Sequence, residues 1–349
     1  MSSPLRFAPG DVFAEKFEVQ RLLARGSMGS VYLASDRVAN QTRALKLMNP
    51  DLRHVPRFVE RFVQEAGVGA RIASEHVIRV FEHGVDPHSG LPWLSMEYVE
   101  GETLDRAVES GSLDRETKHE ILRQIFEAMS AAHAVNVVHR DLKPENFLVL
   151  KNARGNASIK VLDFGVAKVV RDLSVSGTAE GLGAPLWTAP EQGEPGKTIR
   201  PSADVWALGL VTFWLLTGKI FWRGATLHRA SIADLALELM GGAIAAPSDR
   251  ARELRCEGLL PPGFDGWFGR SVVRDPSARF SDAREAYAAL EAVLSAPGHP
   301  SSSATAGLPI SATRHESAPP EPPKRPLWPI IVLTVFFVSL GIAFAVKLT

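Results

Sequence analysis

Residues 139–163 carry side chains suited to phosphate and metal chemistry. Residues 139–146 read His-Arg-Asp-Leu-Lys-Pro-Glu-Asn, and Asp163 follows two strand-like stretches, just before a phenylalanine and a glycine. The carboxylates of Asp141 and Asp163 and the amide of Asn146 could supply a base for a hydroxyl proton and oxygen ligands for Mg²⁺. Phosphoryl transfer depends mainly on positioning and charge neutralisation, so this pattern favours that chemistry.

A strand, a turn and a second strand are predicted at Phe17–Arg37, with Gly26 and Gly29 in the turn. Glycines there let backbone amides approach phosphate oxygens. A glycine turn between strands is, however, more often an ordinary hairpin. Lys46, in the predicted strand Ala44–Met48, could reach phosphates covered by the turn. The alternative for this lysine is a solubilising charge on an edge strand.

The next predicted helix, at residues 56–73, carries Glu65 among apolar neighbours. A buried lysine needs a partner, and Glu65 is the natural one for Lys46. A helical glutamate is nevertheless more often a solvated surface charge. Gly67 and Gly69 each lower helix propensity by about 1 kcal/mol relative to alanine. We therefore expect the docked position of this helix to depend on tertiary contacts.

Composition limits the remaining classes of function. The 39 Lys and Arg residues balance the 39 Asp and Glu residues, so no overall field favours nucleic acid as a partner. Cys256 is the only cysteine, which excludes an internal disulfide and suits a reducing compartment. The first ten residues contain no apolar stretch of signal-peptide length. We expect a globular part that is not exported.

The composition changes near the C-terminus. Residues 296–326 are rich in Ser and Pro and poor in large apolar side chains, which predicts a disordered linker. Residues 327–346 contain no charged residue, and a helix of that length spans about 30 Å, the hydrocarbon thickness of a bilayer. We interpret residues 327–346 as one transmembrane helix in contact with membrane lipid. A buried core helix is the alternative, disfavoured by the linker and by Trp328 at the interface.

The distribution of basic residues predicts the orientation of this helix. Arg314, Lys324 and Arg325 precede it, whereas only Lys347 follows it. The positive-inside tendency then places the N-terminal bulk in the cytoplasm, in a single-pass protein of the inner (cytoplasmic) membrane. Residues 347–349 form a short outer tail, too short for a sensor domain.

Together these motifs resemble the eukaryotic-type (Hanks-type) serine/threonine protein kinases of bacteria, over about Phe17–Leu294. The resemblance implies an α+β, bilobal kinase fold at residues 11–295, after a tail at residues 1–10. The small β-rich N-lobe would cover about residues 11–98, and the larger helical C-lobe about residues 99–295.

The family pattern implies roles for individual residues. Asp141 would be the catalytic base, and Lys143 would contact the transferred phosphate. Asn146 and Asp163 would hold Mg²⁺, with Mn²⁺ as an alternative. Lys46 would bind the α and β phosphates of ATP. The other ATP contacts would come from the glycine loop, the strands beside it and the hinge backbone: Leu23, Ala24, Arg25, Gly26, Ser27, Met28, Gly29, Val31, Ala44, Glu97 and Val99.

Four further positions match supporting features of the family. Lys46 would pair with Glu65, and Met96 would be the gatekeeper before the hinge. Residues 189–191 read Ala-Pro-Glu, the motif that closes the activation segment, and Glu191 usually pairs with an arginine such as Arg279. Asp204 resembles the helix residue that supports the catalytic loop.

Two positions depart from the family pattern. Ala24 replaces the first loop glycine, for which we expect weaker nucleotide binding at most. Ala184 replaces a threonine whose hydroxyl orients the catalytic base and lysine. Losing one such hydrogen bond costs about 1 kcal/mol or somewhat more in transition-state positioning, which slows catalysis without abolishing it.

The activation segment also contains candidate phosphorylation sites, Ser174, Ser176 and Thr178, within reach of where Arg140 is expected. A phosphate there would add charge-assisted bonds to arginine and order the loop. The alternative is that these are solvated loop hydroxyls.

The leading interpretation is a kinase that transfers the γ-phosphoryl group of ATP to Ser or Thr of protein substrates and phosphorylates itself. The alternative is a pseudokinase or scaffold at the membrane, favoured only by Ala24 and Ala184. A small-molecule phosphotransferase is disfavoured by the Ala-Pro-Glu motif at residues 189–191. Tethering to the membrane would concentrate kinase domains in two dimensions, so that they phosphorylate one another. A homodimer is a further possibility that the sequence leaves open.

Overall fold

The computed structural model of the chain describes residues 7–26, 29–56, 59–60, 62, 67, 69, 71–151, 157–164, 186–194, 196–225 and 232–296. The N-terminal lobe contains a six-stranded antiparallel sheet with strand order β1-β2-β3-β4-β6-β5. The strands are β1 (Val12–Phe13), β2 (Phe17–Gly26), β3 (Gly29–Asp36), β4 (Gln41–Met48), β5 (Val80–Val85) and β6 (Pro92–Glu97).

The two faces of this sheet are both covered by apolar side chains. Side chains alternate between faces along a strand, so Tyr32 and Leu45 pack on one face, while Val31 and Ala44 pack on the other. Gly29 is required at the start of β3, because a Cβ there would lie 2.0 Å from the backbone oxygen of Leu47. The predicted strand-turn-strand unit and the strand carrying Lys46 are confirmed.

The predicted helix at residues 56–73 is described only at separate positions up to residue 69, and residues 71–73 are not helical, so the helix ends before the predicted Ala73. Residues 56, 59, 60, 62, 67 and 69 are helical, and Phe62 is fully buried in the cluster that also contains Met96. Gly69 lies against Val80, whose Cγ2 would be 3.3 Å from an added Cβ. Glu65 lies outside the described residues, and its pairing with Lys46 stays a prediction.

The C-terminal lobe is mainly helical. Its helices are α1 (Leu104–Glu109), α2 (Arg115–Ala134), α3 (Ser202–Thr217), α4 (Ile232–Met240), α5 (Pro247–Glu253), α6 (Phe264–Ser271) and α7 (Ala283–Leu294). A second sheet, with strand order β7-β8-β9, consists of β7 (Glu102–Thr103), β8 (Phe147–Lys151) and β9 (Ala157–Val161). The predicted two-lobed α+β architecture is confirmed.

Local sequence explains where the main helices begin and end. Asp114 caps α2 by accepting a hydrogen bond from the Thr117 amide at 2.8 Å, and Asp282 caps α7 in the same way. Every residue of α3 is buried, and its sequence is mostly apolar on all sides, so it shows no amphipathic stripe. The polar residues in it are Ser202, Asp204, Thr212 and Thr217. This helix ends at Gly218, whose φ of 69° is the left-handed conformation that glycine adopts readily.

No helix within the described residues is both long enough and apolar enough to span a bilayer. The predicted span at residues 327–346, the linker at 296–326 beyond Ala296 and the tail at 347–349 lie outside those residues. The domain boundaries proposed from composition therefore stay predictions.

Candidate active site

The loop between α2 and β8 brings the first group of predicted residues together. Asn146, at the end of a short 3₁₀ turn (Pro144–Asn146), is buried and donates from Nδ2 to the Asp141 backbone oxygen at 2.7 Å. The same Nδ2 lies 3.2 Å from the Asp141 carboxylate, and the Lys143 ammonium lies 3.7 Å from it. A carboxylate, an amide and an ammonium therefore meet at one point of the loop.

Asp204, at the start of α3, holds the backbone of this loop through hydrogen bonds. Its carboxylate accepts hydrogen bonds from the amides of His139 (2.7 Å) and Arg140 (2.8 Å) and from Nε2 of His133 (2.9 Å). Arg140 has a φ of 70°, a strained conformation for a non-glycine residue that these bonds help to hold. Burial opposes charge on Asp204, but the hydrogen bonds from His133 and from the Arg140 amide outweigh burial and lower its pKa.

His133 extends this support to the last helix. Its Nδ1 accepts a hydrogen bond from the Ala283 amide at 3.0 Å, so the proton that binds Asp204 is on Nε2. The first residue of α7 is thereby connected through His133 and Asp204 to the catalytic loop. The sequence analysis missed His133; its only signal was a histidine on the buried face of a long helix six residues before His139.

The second group of predicted residues lies beside the first. Lys46 is buried, and its ammonium lies 2.6 Å from the Asp163 carboxylate. Asp163 has a φ of 55°. The preceding residue, Leu162, donates from its backbone amide to the backbone oxygen of Asn146 at 2.9 Å. Four of the predicted residues, Lys46, Asp141, Asn146 and Asp163, are thus connected through short contacts.

His139 holds the backbone that precedes Asp163. Its Nε2 donates to the Leu162 oxygen at 2.7 Å, and its Nδ1 accepts from the Asp141 amide at 3.3 Å. The ring of Phe164 packs on the His139 ring with centroids 4.6 Å apart. The two segments that carry Asp141 and Asp163 therefore share one buried imidazole.

An apolar cluster adjoins these polar groups. The predicted nucleotide contacts that join it are Leu23, Val31, Ala44 and Val99, together with the predicted gatekeeper Met96 and with Leu162. Such a surface suits one face of a purine ring. The Glu97 amide already donates to the Arg79 oxygen at 2.8 Å, so an adenine contact at Glu97 has to use its carbonyl oxygen.

The glycine loop is described only in part. Ala24, Arg25 and Gly26 are exposed at the end of β2, and Gly29 begins β3 beside them. Ser27 and Met28 lie outside the described residues. The same holds for Ala184 and for the candidate phosphorylation sites Ser174, Ser176 and Thr178.

The segment after residue 186 is anchored by a buried ion pair. Arg279 binds both carboxylate oxygens of Glu191, at 2.7 and 2.9 Å, as the family pattern implied. The neighbouring Gln192 donates from Nε2 to the Arg140 oxygen at 2.7 Å. The sequence analysis missed Gln192, since nothing local distinguishes this glutamine from a surface residue.

Comparison with known proteins agrees with this geometry. The sequence profile of the protein kinase domain family matches residues 17–257, more than half of the chain. The chain belongs to the protein kinase family. The chain is 31% identical over 304 residues to the serine/threonine-protein kinase PknL of Mycobacterium tuberculosis, covering 87% of this chain and 71% of PknL.

Other kinases share the same region. The chain is 29% identical to a serine/threonine-protein kinase of Corynebacterium efficiens (drp72), covering 81% of this chain and 52% of the relative. It is 30% identical to the serine/threonine-protein kinase PknJ of M. tuberculosis, covering 82% of this chain and 46% of PknJ. The chain therefore spans about half the length of these two relatives. The crystal structure of the M. tuberculosis PknI kinase domain superposes with a TM-score of 0.60 at 25% identity, covering 82% of this chain and 99% of that one.

Proposed function

We propose that this chain is a serine/threonine protein kinase that transfers the γ-phosphoryl group of ATP to hydroxyl groups of protein substrates and of itself. The observation that carries the proposal is the meeting of Asp141, Asn146 and Lys143 beside the Lys46–Asp163 pair. Membership of the protein kinase family and the names of the relatives support the same activity.

In the proposed reaction, Asp141 orients the substrate hydroxyl and accepts its proton as the oxygen attacks the γ-phosphorus. The bond from that phosphorus to the bridging oxygen of ADP breaks, and ADP leaves. Lys143, 3.7 Å from the Asp141 carboxylate, is placed to balance charge on the group being transferred. Asn146 keeps the carboxylate in position through its Nδ2 contacts. Lys46 binds the phosphates that remain on ADP.

The donor set fits Mg²⁺ or Mn²⁺. Asn146 uses its Nδ2 toward Asp141, so the other atom of this amide is an oxygen of the kind that these cations take. Asp163 contributes a carboxylate that is 39% exposed. Bound there, the cation would neutralise phosphate charge, which is the main requirement of phosphoryl transfer.

The test is transfer of ³²P from [γ-³²P]ATP to the chain itself and to a generic substrate such as myelin basic protein. Asp141→Asn keeps the size of the side chain and removes the base, so we expect a loss of about 10²–10⁴-fold. The matched control is Asp249→Asn, which removes an exposed carboxylate paired with Arg252 at 2.8 Å and should leave the rate unchanged. A wild-type rate equal to that of Asp141→Asn would favour the pseudokinase alternative.

We further propose that residues 327–346 hold the protein in the inner membrane as a single-pass helix, with the kinase domain in the cytoplasm. The uncharged length and the preceding basic residues support this proposal. The chain should stay in membranes after carbonate extraction, whereas a truncation after Ala296 should be released. Extraction of the full chain by carbonate would refute the tether. Cross-linking of the full chain and of the truncated chain tests whether the membrane-held chains form homodimers.

A further inference from the structure

The carboxylate of Glu97 connects three segments that are distant in sequence. Glu97 is the last residue of β6, and its Oε1 accepts a hydrogen bond from the Lys160 ammonium on β9 at 2.7 Å. The same oxygen accepts from the Arg79 amide, just before β5, at 2.8 Å. The Glu97 amide in turn donates to the Arg79 oxygen at 2.8 Å. One side chain therefore joins the hinge strand, β5 and β9.

This contact crosses between the two sheets. β6 belongs to the six-stranded sheet of the N-terminal lobe, whereas β9 belongs to the three-stranded sheet that leads to Asp163. Lys160 lies three residues before Asp163. Nearby backbone bonds, from Ile78 to the Val161 oxygen and from Val161 to the His76 oxygen, hold the same junction. The Glu97–Lys160 pair adds a charged link between the lobes at that point.

Its environment makes the link stronger than an ordinary surface ion pair. The side chains of Lys160 and Glu97 are 18% and 23% exposed, so solvent screens their attraction less than that of fully exposed pairs. The exposed pair Lys197–Glu194, with a similar distance of 2.6 Å, has side chains that are 44% and 56% exposed. It lies within one short segment and connects no separate elements.

The Glu97–Lys160 link also differs from the Lys46–Asp163 contact between the lobes. Under the proposed function, Lys46 and Asp163 both turn to phosphate and cation when ATP binds, so their mutual pair is replaced. Neither Glu97 nor Lys160 uses its side chain for the nucleotide in that scheme. Their pair can therefore persist in the loaded enzyme and keep the spacing of the lobes.

We infer that the Glu97–Lys160 pair is a clasp that restrains opening of the nucleotide cleft and thereby slows release of ADP. Lys160 is a positioning residue in this scheme, since it touches neither substrate nor nucleotide. The inference rests on the proposed function for its kinetic consequence. The physical basis is that a nucleotide held between two lobes leaves only when they separate, and each charge-assisted bond that joins the lobes raises the cost of separating them.

The test uses the full chain and the fluorescent probe mant-ADP in stopped-flow displacement. Lys160→Met removes the ammonium and keeps an apolar stem, and we expect about 3- to 10-fold faster release, the effect of losing one hydrogen bond of typical net strength in a partly exposed pair. Glu97→Gln still accepts from the Arg79 amide but loses the ion pair, so it should behave similarly. The double variant should release no faster than either single variant, because both remove the same link.

Two further variants separate the clasp from a general structural effect. Lys160→Arg keeps the charge and should release mant-ADP at close to the wild-type rate. Lys197→Met breaks the exposed pair with Glu194 and should change nothing. The clasp is refuted if Lys160→Met releases at the wild-type rate, if Lys197→Met accelerates release equally, or if the effects of Glu97→Gln and Lys160→Met multiply.

A second measurement does not depend on nucleotide. Without ligand, hydrogen exchange at the hinge, residues 97–101, should be faster in Lys160→Met than in wild type, and unchanged in Lys197→Met. If the wild-type chain bound no mant-ADP, the proposed kinase function would fail, and the exchange result would still decide whether the clasp exists. Equal exchange in wild type and Lys160→Met would refute it.

Discussion

Replacing Glu191 by alanine should destabilise the kinase domain more than any exposed carboxylate change. The side chains of Glu191 and Arg279 are 5% and 0% exposed, and they bind each other through two bonds. Removing one member of a buried ion pair leaves the other charge uncompensated and costs about 3–5 kcal/mol. Without Glu191, Arg279 keeps its hydrogen bonds to the backbone oxygens of Val273 (2.7 Å) and Ser202 (2.9 Å). We therefore expect a loss at the lower end of this range, about 3 kcal/mol.

That loss is a large fraction of a typical folding free energy of about 5–15 kcal/mol. For a domain of this size it corresponds to a fall in the unfolding midpoint of roughly 6–12 °C. The assay is thermal unfolding of the purified chain followed by the fluorescence of its seven tryptophans. One of them, Trp206, has its ring 4.9 Å from the Arg279 guanidinium.

The matched control is Glu194→Ala, three residues away in the same segment. Glu194 pairs with Lys197 at the surface, and such pairs contribute about 0–1 kcal/mol. Its midpoint should stay within about 2 °C of wild type. If Glu191→Ala and Glu194→Ala unfolded at the same temperature, the argument from burial of the Arg279 pair would be wrong.

Three other predictions concern the catalytic loop and the activation segment. The pKa of Asp204 is lower in the folded state than its ordinary value of 3.8. Its ionised carboxylate therefore stabilises the fold fully at pH values above 3.8, and this contribution is lost as the pH falls through the folded-state pKa. Asp204→Asn should therefore be less stable than wild type near neutral pH, with a difference that shrinks in acid; a pH-independent difference in denaturant midpoint would contradict this. Ala184→Thr should restore an orienting hydroxyl and raise kcat about 5- to 10-fold, the equivalent of about 1 kcal/mol, in the ³²P assay, and an unchanged kcat would count against the assigned role. Incubation with Mg·ATP should phosphorylate Ser176 or Thr178, and mass spectrometry that finds both unmodified would refute autophosphorylation there.

Much of the N-terminal lobe was predictable because its signals are local. The alternation of apolar side chains, Gly26 and Gly29 gave the hairpin of β2 and β3, and Lys46 lies in the strand where it was expected. The pairing of Glu191 with Arg279, 88 residues apart, came from the family pattern. Local sequence alone contains no signal for a contact at that separation.

The contacts that the sequence analysis missed have a common physical reason. The Ala283 amide meets His133 across 150 residues. Glu97 was predicted for its backbone, yet its side chain binds Lys160, 63 residues away. Each partner is an ordinary polar residue in its own segment, and the pairing depends on how helices and strands pack.

By itself, the sequence determined the strands β2, β3 and β4, the two strands before Asp163, the family resemblance and the identity of the chemical groups, because these depend on side-chain periodicity and short motifs. Only the tertiary structure decided which further polar groups meet: His133 with Asp204, and Glu97 with Lys160 between the two sheets. The physical reason is that hydrogen bonds and ion pairs act over a few ångströms, so chain folding must first bring the partners together.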